Sequence, residues 1–133
     1  MSRKKAREGL VSLMYQSLFD NDFNIDKVDI FVNNFGYEED EVEFITLGYG
    51  IIEKHLDNID STISNSLKNW TIERLFKLDL SILRVAVYEI LYAENIPNEV
   101  AINEAVEIAK KFGTKDSSKL INGILGTIIR SEK

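Results

Sequence analysis

Residues 96–126 read IPNEVAINEAVEIAKKFGTKDSSKLINGILG, and this stretch predicts two amphipathic helices joined by a short polar hinge. Apolar side chains recur every three or four residues on both sides of the hinge, which is the period of a helix with one buried face. Pro97 separates the pair from the preceding segment, and Gly113 ends the first of the two helices. The hinge carries several lysines on an acidic chain, so we interpret it as a candidate nucleic-acid contact.

Helical spacing recurs along the rest of the 133 residues, whereas strand patterns are scarce. The predicted helices cover about 2–19, 26–35, 38–56, 59–67, 80–92, 98–112 and 117–130. The segment 80–92 is the most apolar, so we expect it at the centre of the core, capped by Asp79. Gly123 and Gly126 lower the propensity of the last helix, which predicts close approach of a neighbouring helix. No linker divides the chain, so we expect one all-α domain over residues 1–133 with about seven helices.

The composition excludes several classes of site. The chain has 44% hydrophobic and 29% charged residues, which is typical of a globular protein. It has no cysteine, which excludes a disulfide scaffold, a zinc–thiolate site and an iron–sulfur cluster in these residues. No apolar run is long enough to cross a bilayer, and no apolar segment follows the basic N-terminus as in a secretory signal. We therefore expect a cytoplasmic protein that makes no membrane contact.

The formal net charge of −6 is unevenly distributed. Residues 1–7 contain four cations and no acid, residues 20–60 contain twelve acids against two lysines, and residues 110–133 contain six cations against two acids. If the two basic ends meet in space, they form one positive patch. The alternative interpretation is that both ends are solvated helix termini.

The sequence gives little indication of catalysis. His55 is the single histidine and has no cysteine or serine neighbour, which favours a boundary residue over a catalytic one. The glycines at 48–50 lie inside a helical pattern and fit no nucleotide-binding motif. Asp57 and Asp60 have the spacing of paired carboxylates, but so do many solvated helix faces. We expect no enzymatic activity, no cofactor and no metal site.

Two groups of residues are candidates for phosphate contact. The cationic start of the first helix comprises Arg3, Lys4, Lys5 and Arg7. The hinge group comprises Lys111, Lys115, Asp116, Ser117, Ser118 and Lys119, and backbone N–H groups at a helix start are good phosphate ligands. Alternatively, the two serines cap the last helix and the lysines complement the helix dipole.

A third group is a candidate docking face for a protein. It comprises Tyr15, Phe19, Glu73, Asp79 and Arg84, which are aromatic and charged residues near helix ends. The alternative is an internal ion pair of Arg84 with Asp79 or Glu89, with Tyr15 in the core.

Several blocks of the chain together resemble the NusB family of transcription antitermination factors. They are RKKARE at 3–8, MYQ at 14–16, DLSILRVAVYEI at 79–90, the stretch 96–113 and DSSKLINGILG at 116–126. The resemblance implies an all-α fold of two small packed helical bundles. It also implies joint binding of boxA-type single-stranded RNA from ribosomal operon leaders with the ribosomal protein NusE. In that family the complex acts on the transcription elongation complex and helps RNA polymerase pass terminators.

The resemblance also implies roles for particular residues. RNA contacts carry over to Arg3, Lys4, Lys5, Arg7, Asp116, Ser117, Lys119 and Leu120, and the NusE face to Tyr15, Phe19, Glu73, Asp79 and Arg84. Leu120 stands where an aromatic residue is frequent in the family. Lysines replace arginines in the N-terminal cluster, and lysine makes point-charge rather than bidentate contacts.

The charge balance predicts modest RNA affinity for the chain alone, with steep loss at high salt. The alternative function is a helical module that binds only protein, as a homodimer through residues 80–92 or as the accessory RNA-binding domain of a ribosomal RNA methyltransferase.

Overall fold

A computed structural model describes residues 2–68 and 71–132, and within these ranges every regular element is a helix and there are no strands. The helices are α1 Arg3–Asp20, α2 Asp26–Asn34, α3 Glu39–Lys54, α4 Leu56–Asn65, α5 Lys77–Tyr92, α6 Asn98–Phe112 and α7 Ser117–Ser131, with a 3-10 turn at Ile72–Arg74. The predicted all-α class with about seven helices is confirmed. Lys133, one of the cations of the C-terminal end, lies outside the described residues. No helix in the described ranges is long and apolar enough to cross a membrane.

Helix α5 is the centre of the molecule. It packs against α1, α3, α4, α6 and α7, and every residue from Asp79 to Glu89 is buried. Helices α1 to α3 form one bundle and α4 to α7 form the other, with α1 and α5 in contact across the boundary. The near-absence of a polar face on α5 follows from this position, because a helix surrounded by others needs apolar side chains on all sides.

The helix starts differ from the predictions at two places. Helix α5 begins at Lys77 with Phe76 at its N-cap, so Asp79 lies in the first turn and the prediction that it caps the helix is wrong. Helix α4 was predicted to begin at residue 59, but it begins at Leu56. His55 is both the C-cap of α3 and the N-cap of α4, so no connecting segment separates the two helices.

The acidic start of α3 forms a capping box, and it also holds the N-terminus. The backbone N–H of Glu38 donates to Glu41 Oε1 at 2.8 Å, forming a capping box. The backbone N–H of Ser2 donates to Glu41 Oε2 at 2.9 Å. These backbone donors lower the pKa of Glu41. The first turn of α1 is thereby fixed beside the first turn of α3.

A buried ion pair joins α1 to α5. Arg7 Nε and Nη2 each donate to one carboxylate oxygen of Glu89 at 2.8 Å. The two side chains are only 4% and 1% exposed. Two parallel charge-assisted hydrogen bonds fix the orientation as well as the distance of the helices.

We expect Arg7→Met to destabilise the protein by about 3–5 kcal/mol, because it leaves the Glu89 carboxylate buried without its partner. Urea denaturation measures this change. The double variant Arg7→Met with Glu89→Met is the control, and it should recover most of the loss because no unpaired charge remains. A single variant as stable as the parent protein would contradict the structural role of the pair.

Close helix approach occurs at other glycines than those predicted. A Cβ at Gly48 would lie 2.6 Å from Leu10 Cδ2 and 3.2 Å from Tyr88 Cε2, so α3 needs a glycine where it crosses α1 and α5. A Cβ at Gly123 would meet no atom within 4 Å, and one at Gly126 would meet only the Arg130 side chain. The expectation of close helix packing at Gly123 and Gly126 is therefore wrong.

Substitution by alanine should change the stability of the protein in opposite directions at Gly123 and at Gly48. Gly123→Ala should stabilise the protein by about 0.5–1 kcal/mol, because alanine has the higher helix propensity and space is available. Gly48→Ala should destabilise it by about 1–3 kcal/mol, because the methyl group overpacks a core contact. Thermal unfolding of both variants tests this, and the reverse order of melting temperatures would contradict it.

Candidate nucleic-acid and partner interface

The hinge, residues 113–116, is a compact turn between α6 and α7. The backbone N–H of Thr114 donates to Ser117 Oγ at 2.9 Å, and the two hydroxyl oxygens are 3.0 Å apart. A Cβ at Gly113 would lie 2.7 Å from the carbonyl oxygen of Ala109 and equally close to Ser117 Oγ, so only glycine fits there. Ser117 is buried, and its hydroxyl organises the hinge instead of facing solvent. The structure therefore does not place Ser117 as an exposed RNA contact.

The two basic ends of the chain meet at one contact between α1 and α6. Lys111 Nζ lies 3.2 Å from Glu8 Oε1. Lys4 is exposed and precedes Glu8 by one helical turn, so it lies on the same face of α1. Lys111, Lys115 and Lys119 are exposed around the hinge. We call the surface formed by Lys4, Lys111, Lys115 and Lys119 the hinge surface.

The remaining N-terminal cations point elsewhere. Lys5 Nζ donates to the carbonyl oxygen of Gly36 at 2.5 Å, and the Arg3 guanidinium lies 5.1 Å from the centroid of the Phe44 ring. Arg7 is buried against α5. Successive helical residues are about 100° apart around the axis, so the consecutive cations at 3, 4 and 5 cannot share one face. The expectation that Arg7 contacts RNA is therefore corrected to a role inside the protein, and Arg3 and Lys5 face the α3 side.

A cavity of about 270 Å³ lies beneath the hinge and is called the hinge cavity. It is lined by Arg74, Leu75, Phe76, Asp79, Thr114, Asp116, Ser117 and Leu120. Burial raises the pKa of Asp79, and a hydrogen bond from Ser117 acts in the opposite direction. The cavity thus brings the predicted partner residue Asp79 together with three predicted RNA residues.

The predicted docking face is exposed at its aromatic end. Tyr15 and Phe19 pack edge to face with ring centroids 4.8 Å apart, and Phe19 is 59% exposed. Lys77 Nζ lies 5.0 Å from the centroid of the Phe19 ring. Glu73 is exposed on the 3-10 turn. We call this surface, with Phe76, the partner face.

Arg84 belongs to the interior of this region. Its guanidinium donates to both carboxylate oxygens of Asp60 at 2.9 and 2.8 Å, so the predicted pairing with Asp79 or Glu89 is wrong. Because Arg84 is only 6% exposed and already bidentate, it is not an exposed contact of the partner face.

Sequence reasoning missed three residues of these surfaces. Glu8 holds Lys111, Phe112 is 52% exposed with Lys111 Nζ 5.0 Å from its ring centroid, and Phe76 is 64% exposed. The exposure of Phe112 could have been predicted from the sequence, because a residue directly before a helix-ending glycine lies at the end of the helix, where few core residues are within reach. The exposure of Phe76 could not have been predicted in this way.

The pH dependence of stability tests the burial of Asp79. The folded protein keeps the proton on Asp79 at a pH where the unfolded chain, with an aspartate pKa near about 3.9, has lost it. The free energy of unfolding attributable to Asp79 therefore falls as pH rises through this window. Relative to Asp79→Asn, the parent protein should lose stability from about pH 3.5 upward, as measured by urea unfolding at a series of pH values.

Ser117→Ala is the companion variant, because it removes the hydrogen bond that opposes the rise in the pKa of Asp79. The pH window should then extend to higher pH. A parent protein that gains stability relative to Asp79→Asn as pH rises would show that Asp79 is stabilised as an anion.

The seven helices of the described residues and the lysine-rich hinge surface are those of a small all-α binding protein, and comparisons with known proteins narrow this class. A model of the NusB family matches residues 4–130. The transcription antitermination protein NusB of Finegoldia magna is 40% identical over 134 residues, covering 100% of this chain and 97% of that protein. The chain belongs to the NusB family.

Solved structures show the same fold. T. maritima NusB is 34% identical with a TM-score of 0.89, covering 98% of this chain and 92% of that one. A structure of the antitermination factors NusB and NusE in complex with dsRNA matches with a TM-score of 0.86 at 23% identity, covering 97% of this chain and 96% of that one. At that identity the second match shows the shared fold alone.

Proposed function

We propose that this protein is a transcription antitermination factor that binds boxA-type RNA of ribosomal operon leaders jointly with ribosomal protein NusE. In this role it assists read-through by RNA polymerase as part of the transcription elongation complex, and it acts in the cytoplasm. Family membership and the name of the Finegoldia magna relative support the antitermination role.

The observation that carries the proposal is the hinge cavity, because it joins the two predicted binding surfaces. Phe76 belongs to the partner face, Asp116 and Leu120 belong to the RNA group, and all three line one cavity. A protein docked on the partner face therefore lies directly beside RNA on the hinge. A basic partner would extend the positive surface there, so joint binding follows from charge.

The hinge surface supplies the RNA contacts in this proposal. Lys4, Lys111, Lys115 and Lys119 bind phosphates, and release of counterions drives the binding. Phe112 offers an exposed ring on which a base can stack, in place of the aromatic residue absent at position 120. Arg3 and Lys5 contribute from the adjacent side of α1. The proposal assigns no catalytic step to the protein.

A homodimer without direct RNA binding is the second candidate. Its support is exposed apolar surface on α2 and α3, where Ile30 is 67% and Leu47 is 62% exposed. Residues 80–89, part of the segment first expected to form a dimer, are buried within the chain, so the dimer would use these other faces.

A gel-shift titration with boxA RNA, with and without NusE, tests the proposal. We expect tighter binding with NusE, and a slope of log affinity against log salt that decreases in magnitude by about 1.4 in the double variant Lys4→Gln with Lys111→Gln. Both lysines are exposed, so the urea denaturation midpoint should not change.

Lys54→Gln is the control, because Lys54 is exposed on the last turn of α3 and contributes to neither surface. It should leave the salt slope unchanged. Binding with equal affinity and slope in the parent and the double variant would refute the hinge surface. RNA binding by neither the parent protein nor its mixture with NusE, together with dimeric elution, would favour the second candidate.

A further inference from the structure

A second cavity continues from the hinge along α7. It measures about 610 Å³ and is lined by Ser66, Lys68, Asp116, Lys119, Leu120, Gly123, Ile124, Thr127 and Arg130. We call it the α7 groove. Asp116 and Leu120 line both the α7 groove and the hinge cavity, so the two are continuous.

The α7 groove is basic on an acidic protein. Three cations, Lys68, Lys119 and Arg130, face one carboxylate, Asp116. Another groove of similar size, about 500 Å³, has the opposite balance, with Arg3 against Asp40, Glu43 and Glu94. The positive sign therefore belongs to the α7 groove and is not a general property of the clefts of this chain.

The cations of the α7 groove are available for a ligand. Within residues 2–68 and 71–132, Arg130 has a single hydrogen-bond partner, the Thr127 hydroxyl at 3.2 Å. The side chains of Lys68 and Lys119 make no ion pair or hydrogen bond within those same ranges. By contrast, lysines such as Lys27 already form an ion pair with an acidic residue, in this case Asp20.

The shape suits an extended strand. Lys119, Gly123, Thr127 and Arg130 follow one another at helical spacing along one face of α7, over a distance of about 16 Å. Gly123 opens the middle of this face, because no atom lies within 4 Å of where its Cβ would be. This accounts for a glycine that has no packing role in the helix bundle.

We propose that the α7 groove binds the sugar–phosphate backbone of the RNA strand where it continues beyond the hinge. Lys68 and Arg130 contact phosphates from the two sides of the α7 groove, and Lys119 connects it to the hinge surface. This inference rests on the proposed function, because it requires that RNA reaches the hinge.

The test compares a short boxA RNA with RNAs extended by about four nucleotides at either end, about the lower limit of a single-strand site. Each is titrated against the complex of the full chain with NusE at several salt concentrations. One extension should raise affinity by about tenfold and steepen the salt slope, and the other should have no effect.

The variants Lys68→Gln and Arg130→Gln test whether the higher affinity of the extended RNA comes from the α7 groove. Each should reduce the salt slope for the favourable extended RNA by about 0.7 and leave binding of the short RNA unchanged. Lys54→Gln serves again as the control and should bind all three RNAs like the parent. Both substituted side chains are exposed, so the variants should fold normally.

The outcomes separate the two proposals. If the short RNA binds but neither extension adds affinity, or if the gain persists in both variants, the α7 groove does not bind RNA. An equal loss for short and extended RNA in the variants would also overturn it. If the short RNA itself does not bind, the proposed function fails and this inference fails with it.

Discussion

The bidentate pair between Arg7 and Glu89 is the constraint on which the arrangement of the surfaces depends. It lies where the two helical bundles meet and fixes the axial position of α1 against α5. A buried pair with two matched hydrogen bonds tolerates little sliding, since any shift leaves a charge unpaired in the core. The position of Lys4 and Glu8 beside the end of α6 follows from it, because both residues lie on the same helix as Arg7.

The conformation of the hinge determines which side chains are exposed beside these packed helices. A short turn held by Ser117 and Thr114 exposes Lys115 and Asp116, while Lys111 is drawn toward α1 by Glu8. The hinge cavity then connects this surface to the start of α5, where the partner face begins. The two proposed binding surfaces, which are far apart in sequence, thus become neighbours, and this gives a physical basis for the proposed cooperative binding of RNA and protein.

Much of the fold was predictable because apolar periodicity and helix-ending residues are local signals. Predicted and observed limits of α1, α6 and α7 agree within one residue or so. The start of α5 was predicted at residue 80, where the most apolar stretch begins, but the helix itself begins at Lys77. The glycines of α7 were misread for a related reason. Sequence shows that a side chain is missing, but not whether the space beside it is filled by protein or open to solvent.

The candidate site was predicted less evenly. Lysine enrichment in the hinge and the charge reversal against an acidic chain are properties of composition, and so the sequence alone determined that this region is cationic. Which cations face outward was decided by the tertiary structure, since Arg7 packs against α5 whereas Lys4, one turn earlier on α1, is exposed. Arg7, Ser117, Asp79 and Arg84 are buried, so they are not exposed on the surfaces to which the sequence analysis had assigned them. The partners of Arg7 and Arg84, which are Glu89 and Asp60, lie on other helices, and such long-range pairing is fixed only when the helices pack.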